Sequence, residues 1–242
     1  MRRAIAAELQ KLISTRGTYG LALGALAIVA IATPPMVGDA SLDQLAKPLH
    51  DQQVLFPVMF TRLFVLVLGI RAVTDEFRYA TAIPSFLAIP ARHRVVAAKV
   101  LVLAGAGLVV TMAAEAVMLA LTYGLGQGRG VTPAFGVADA TALAGAAGAG
   151  ALWAAIGVGI GAAVRHQLAA VLVPVFWVMF VEDSLVAGQW PRLASYLPAD
   201  AGMDLVFATT WRTVWMSGSI LAAYAVAFWA AGTALTQRRD IT

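Results

Sequence analysis

The sequence predicts an all-α membrane protein of six transmembrane helices with both termini in the cytoplasm. Three observations carry that reading. The mean hydropathy is +0.81, charged residues make up 12% of the chain against 60% hydrophobic, and several apolar runs are long enough to cross a bilayer. Soluble domains carry about 25% charged residues, so this chain cannot cover a water-soluble surface. A water-soluble enzyme is excluded on that ground. The runs are continuously apolar rather than alternating, which selects helices over a β-barrel.

A helix rises about 1.5 Å per residue, so about 20 residues cross a hydrocarbon core of about 30 Å. Six stretches meet or approach that length: 19–37, 55–73, 101–123, 137–164, 168–187 and 214–235. Ahead of them, residues 2–16 place Ile5, Leu9, Leu12 and Ile13 at helical spacing among Arg2, Arg3, Glu8, Lys11 and Arg16. The pattern predicts an amphipathic helix lying in the interface, the alternative being a polar cytoplasmic tail. A signal peptide has a short basic start and about 7–15 apolar residues; this opening differs, and it is expected to be retained. All of 1–242 reads as one transmembrane domain without a nucleotide-binding domain.

Lys and Arg set the orientation. With the N-terminus inside, the inner segments hold Arg2, Arg3, Lys11, Arg16, Arg71, Arg78, Arg92, Arg94, Lys99, Arg165, Arg238 and Arg239. The outer segments hold only Lys47, Arg129, Arg192 and Arg212, and Arg62 falls within a span. That asymmetry is a positive-inside bias, and it gives the net charge of +4 a membrane meaning rather than a nucleic-acid one. Tyr123, Trp190, Tyr196, Trp211 and Trp215 then form an outer aromatic belt. Segment 182–213 is too apolar for a solvated loop, and Pro191, Pro198 and Gly202 break it too often for a span. Short helices re-entering the outer leaflet are expected there.

Catalytic signatures are missing. The chain has no cysteine, hence no thiolate zinc site or cysteine nucleophile, and it lacks HExxH, GxSxG and GxxxxGK[ST] patterns. His50, His93 and His166 fall in three separate loops. Ser217 and Ser219 have no histidine at membrane depth and read as packing residues. Gly145, Gly148, Gly150, Gly157, Gly159 and Gly161 predict close helix packing by the fourth span. Pro174 predicts a kink in the fifth.

The stretch between spans two and three is the most informative. Phe86, Leu87 and Ile89, framed by Pro84 and Pro90, make an apolar knob rimmed by Arg78, Arg92 and Arg94. Residues 82–89 are expected to form a short helix outside the bilayer. Such a surface predicts a protein contact; the alternative is a helix lying on lipid. By composition alone, Glu76 and Arg78 read as interfacial anchors at the end of a span.

The residues Thr74-Asp75-Glu76-Phe77-Arg78-Tyr79-Ala80-Thr81, with Pro90 and Lys99 further on, resemble the ABC-2 type permease family. Its members carry T-x-E-[FY]-R-[YF]-G-T, a short apolar helix, P-x-x-R and a lysine entering the third span. Ala80 departs from the family's usual glycine, and Arg92 or Arg94 supplies the basic residue after Pro90. Glu8-Leu9-Gln10-Lys11-Leu12 with Ser14-Thr15-Arg16, Tyr196-Leu197-Pro198 and Arg238-Arg239-Asp240 are similar in a weaker way. The resemblance implies the membrane subunit of a bacterial ATP-driven exporter in the cytoplasmic membrane, moving a drug-like compound, lipid or peptide outward. It implies no cofactor in this chain: ATP and Mg belong to a separate ATPase, present in two copies. A second permease copy or a paralogue would complete the complex. Segment 82–89 becomes the coupling helix, with Glu76, Phe77, Arg78, Thr81, Pro84, Phe86, Leu87, Pro90 and Arg92 transmitting ATPase closure.

Phe56, Phe60, Phe64, Phe176 and Phe180 are candidates for an apolar substrate path. Arg62 lies seven residues in from Leu55, about 10 Å deep, and Glu115 eight residues from Tyr123, about 12 Å deep. Because an unpaired charge at that depth is costly, an Arg62–Glu115 ion pair is expected, with Glu182 the competing acceptor. Glu182 and Asp183 are expected to face an outer vestibule or the re-entrant segment. The same Arg/Glu pair supports an alternative function, an ion-coupled secondary transporter, although the matched broken helices of such carriers are missing.

Overall fold

The computed structural model describes residues 1–49, 53–79, 92–164 and 166–238. Apart from an isolated bridge between Pro48 and Ala134, the described regular structure is helical. Helix α1 spans Arg2–Ser14 and α2 spans Arg16–Asp39. A single turn, Phe56–Met59, leads into α3, Thr61–Arg78. Then follow α4, Arg92–Gly128, α5, Val137–Val164, and α6, Gln167–Phe176. Short turns lead to α7, Pro198–Val206, and α8 closes the bundle at Trp211–Arg238.

Among the described residues, five helices are long and apolar enough to cross a membrane: Arg16–Asp39, Phe56–Arg78, Val95–Gly128, Val137–Val164 and Trp211–Leu235. The expected run 168–187 is helical but divided. After Phe176 the α ladder gives way to π turns over Trp177–Val186, and the apolar part, Gln167–Glu182, is shorter than the other five. Pro174 has no N–H to donate and its ring crowds the carbonyl of Ala170. Three residues later the bonding relaxes to the wider i→i+5 register. Segment 182–213 breaks into short helices at Ala187–Gln189, Pro191–Ala194 and Pro198–Val206, as its prolines require.

Helix α4 is longer than hydropathy indicated. Its 37 residues extend about 55 Å, and Lys99 lies in its first turns, ahead of the expected run 101–123.

The core is organised around α5, which packs on α3, α4 and α8; 72% of its apolar window is buried, against 17% for α8. Trp153, Leu66, Ile70, Leu103 and Leu221 belong to one buried apolar cluster. Val29, Leu45, Leu55 and Met118 belong to a second. Glycines set the distance between α3 and α5. A Cβ on Gly69 would stand 2.2 Å from the Ala154 carbonyl oxygen, and one on Gly157 would stand 2.2 Å from that of Leu66. Backbone meets backbone on both sides of this contact, which small residues alone permit.

Gly69→Ala and Gly157→Ala should therefore each lower the melting temperature of the detergent-solubilised protein, since overpacking costs about 1–3 kcal/mol. Gly148→Ala, where an added Cβ meets nothing within 4 Å, should leave it unchanged. Equal melting temperatures for all three would contradict the close α3–α5 approach.

A buried charge cluster as the candidate functional site

The amphipathic pattern of α1 divides between two surroundings. Ile5 and Leu12 pack on the core, whereas Leu9 and Ile13 are exposed. Glu8 lies three residues from Ile5 and four from Leu12, which places it on their face, and it is buried.

Its partners come from two other helices. Lys11 Nζ lies 2.8 Å from Glu8 Oε1 and 2.8 Å from Glu76 Oε1 of α3. Lys99 Nζ of α4 contacts Glu8 Oε2, sits 3.0 Å from Glu76 Oε1, and donates to the Ala72 carbonyl at 3.1 Å. Two carboxylates and two ammonium groups thus alternate between α1, α3 and α4. The Glu8 and Lys99 side chains are each 5% exposed. A charge so placed is tolerable only with a partner.

The electrostatics follow from this geometry. Burial pushes the Glu8 carboxyl up, but Lys99 and Lys11 outweigh it and hold the group below its ordinary 4.5. Burial likewise pushes Lys11 down, and the carboxylates of Glu76 and Glu8 reverse that, holding it above 10.5.

A second set of polar contacts adjoins the cluster. Arg71 Nη2 lies 3.2 Å from Asp75 Oδ2. Gln167 donates to Asp75 Oδ1 at 2.7 Å and accepts from Arg78 at 2.9 Å, so the start of α6 is tied to the end of α3. Arg78 also stands 5.6 Å from the centre of the Tyr79 ring, and Phe77 packs on the core. Sequence reasoning gave Gln167 no role, because an amide at a loop–helix junction carries no signal of its own. His166, expected as a plain loop residue, caps α6 by accepting from the Ala169 N–H at 3.3 Å.

The remaining candidates are placed as follows. Thr81, Pro84, Phe86, Leu87 and Pro90, with the expected helix 82–89, lie outside the described residues, as do the side chains of Arg92 and Asp183. The Arg62–Glu115 pair is not formed. Arg62 donates instead to the Ala199 carbonyl at 3.1 Å, and Glu115 Oε1 has no hydrogen-bond partner among the described residues. Both are buried; a residue's position along a span does not set the direction in which its side chain leaves the helix. Glu182 turns towards the segment that follows it, accepting from the Ala199 N–H at 2.8 Å. Arg62 and Glu182 therefore grip one residue, Ala199, at the start of α7.

The five phenylalanines do not form one lining. Phe56 and Phe60 meet edge to face at 5.5 Å, and Phe176 and Phe180 stack at 5.0 Å. Phe64 packs over Gly24 of α2. Among the described residues no ring contact joins the two pairs. A cavity of about 500 Å³ lies at the opposite end of α3 from Arg62, beside the charge cluster.

Removing one partner from a buried ion pair costs about 3–5 kcal/mol. Glu8→Gln and Lys99→Met should each destabilise the solubilised protein, and the double variant should lose less than the two losses added, read from a thermal double-mutant cycle. Additive losses would refute the coupling. The pH dependence has a definite sign. The Glu8 contribution is present above pH 4.5 and disappears as pH falls through the lowered value; the Lys11 contribution is present below pH 10.5 and disappears as pH rises through the raised one. A spin label at Ile13 should report a docked, pH-independent α1 between these limits and a mobile one beyond them. No family model and no curated protein sequence matches this chain.

Proposed function

We propose that this chain is the membrane subunit of an ATP-driven exporter of the ABC-2 type, moving an amphiphilic or hydrophobic substrate out of the cytoplasm or inner leaflet. One observation carries the reading: two residues of the permease-like pattern, Glu76 and Lys99, are ion-paired to each other and to the amphipathic helix α1. A loop that receives a mechanical push needs a stiff attachment to the spans beside it. The cluster supplies one, because separating its charges would strand them away from water.

In this reading six spans place both ends in the cytoplasm of a bacterial cell, with α6 and the π turns as the fifth. Closure of two ATPase subunits pushes on segment 82–89. Helices α1, α3 and α4 move as one body, and the glycine contact passes the motion to α5. ATP and Mg sit on the partner, since this chain carries no phosphate-binding loop motif. A second copy of the chain, or a paralogue, encloses the substrate path. Drug-like compounds, lipids and peptides all fit an apolar path. The ion-coupled alternative rested on the Arg62–Glu115 pair, and no observation now favours it.

The test is purification of the tagged chain from its native membrane in mild detergent. An ATPase should co-purify in equimolar amount, and Phe86→Asp with Leu87→Asp should remove it while leaving the chain folded. Transport by the purified chain alone in ion-loaded proteoliposomes would overturn the proposal.

A further inference from the structure

Beside the charge cluster, α1, α2, α3 and α4 enclose the cavity of about 500 Å³, a size typical of small-ligand sites. Its walls change character with depth: Lys11, Arg71 and Asp75 at one side, Leu21, Leu68 and Leu103 at the other. The formal charges around it cancel, with Lys11, Arg71 and Lys99 set against Glu8, Asp75 and Glu76.

The hydrogen-bond donors do not cancel. Lys99 spends its three N–H groups on Glu8, Glu76 and the Ala72 carbonyl, so it is saturated. Arg71 has five N–H groups and commits one, the 3.2 Å contact to Asp75; its buried Nε has no partner among the described residues. The guanidinium lies across Gly17 of α2, where a Cβ would stand 2.7 Å from both terminal nitrogens. The absent side chain is what makes room for it.

A planar guanidinium with free donors matches a phosphate or carboxylate. This one sits on the last two turns of α3, beside the amphipathic helix α1, where the positive-inside pattern of the sequence puts the inner headgroups. The three carboxylates that could attract a headgroup ammonium are engaged: Asp75 by Arg71 and Gln167, Glu8 and Glu76 each by Lys11 and Lys99. We infer that this cavity binds an anionic membrane phospholipid, its phosphate on Arg71 and one acyl chain along Leu21, Leu68 and Leu103. The inference does not depend on the transport reading, because binding is measured without ATPase or substrate.

Native mass spectrometry of the full chain, released from micelles doped with one lipid at a time, tests it. Phosphatidylglycerol should be retained in preference to phosphatidylethanolamine, and diacylglycerol, with chains but no phosphate, should not be retained. Inorganic phosphate, a head without chains, should fail to displace the lipid. Arg71→Gln should weaken phosphatidylglycerol retention by about tenfold or more, and Arg71→Lys by less. Gly17→Ala should weaken it too, by pushing the guanidinium aside with no charge removed, and it keeps the test decisive if Arg71→Gln does not fold. Unchanged retention in Gly17→Ala, or equal retention of diacylglycerol, would overturn the inference. Displacement by inorganic phosphate would reassign the site to a soluble anion and overturn the lipid.

Discussion

Glu8, Glu76 and Lys99 come from three helices and meet where little water reaches them, with Lys11 closing the ring from a more open side. Each buried ion alone would cost several kcal/mol of lost hydration. None of the three helices can therefore leave the others without stranding a charge. The cluster does not make the bundle stable in the way an apolar contact would. It makes one arrangement of α1, α3 and α4 much better than its neighbours, which is the role buried ion pairs fill when they specify register.

The two ends of α3 illustrate different uses of buried polarity. At Glu76 the charges are exchanged between side chains of separate helices, and a segment of the resembled coupling motif follows directly. At Arg62 the partner is backbone: the carbonyl of Ala199 receives the guanidinium and its N–H is received by Glu182. Holding one residue by both its peptide groups fixes the start of α7 without a side chain there. Alanine suffices at the centre of that grip.

The sequence was most legible where a single property decides the outcome. Hydropathy located α2, α3, α4, α5 and α8 because burying about 20 apolar residues leaves few alternatives. It did not show how 168–187 divides, since an α ladder and a π ladder have the same composition; Pro174 was the visible clue, and the change of register follows it. The direction of a buried charge was illegible. Arg62 and Glu115 were matched by their counted distance from the span ends, yet a helix turns about 100° per residue, and such a count says nothing about facing. Glu8 was legible and overlooked. Its spacing from Ile5 and Leu12 puts a carboxylate on an apolar face, a position that is costly on lipid and natural opposite a lysine. The motif residues at 80–91 belong to a segment whose conformation lies outside what is described, so their reading still rests on resemblance.

The π turns over Trp177–Val186 have a further meaning. Each i→i+5 ring encloses one residue more than an α turn, so a ring that tightens or loosens shifts everything beyond it by one position. One position is about 100° about the axis. Glu182 lies inside this stretch with its carboxylate on the Ala199 amide, and the bond exists in only one phase of the winding. The Ala199 grip thus fixes the phase in which this segment meets α7.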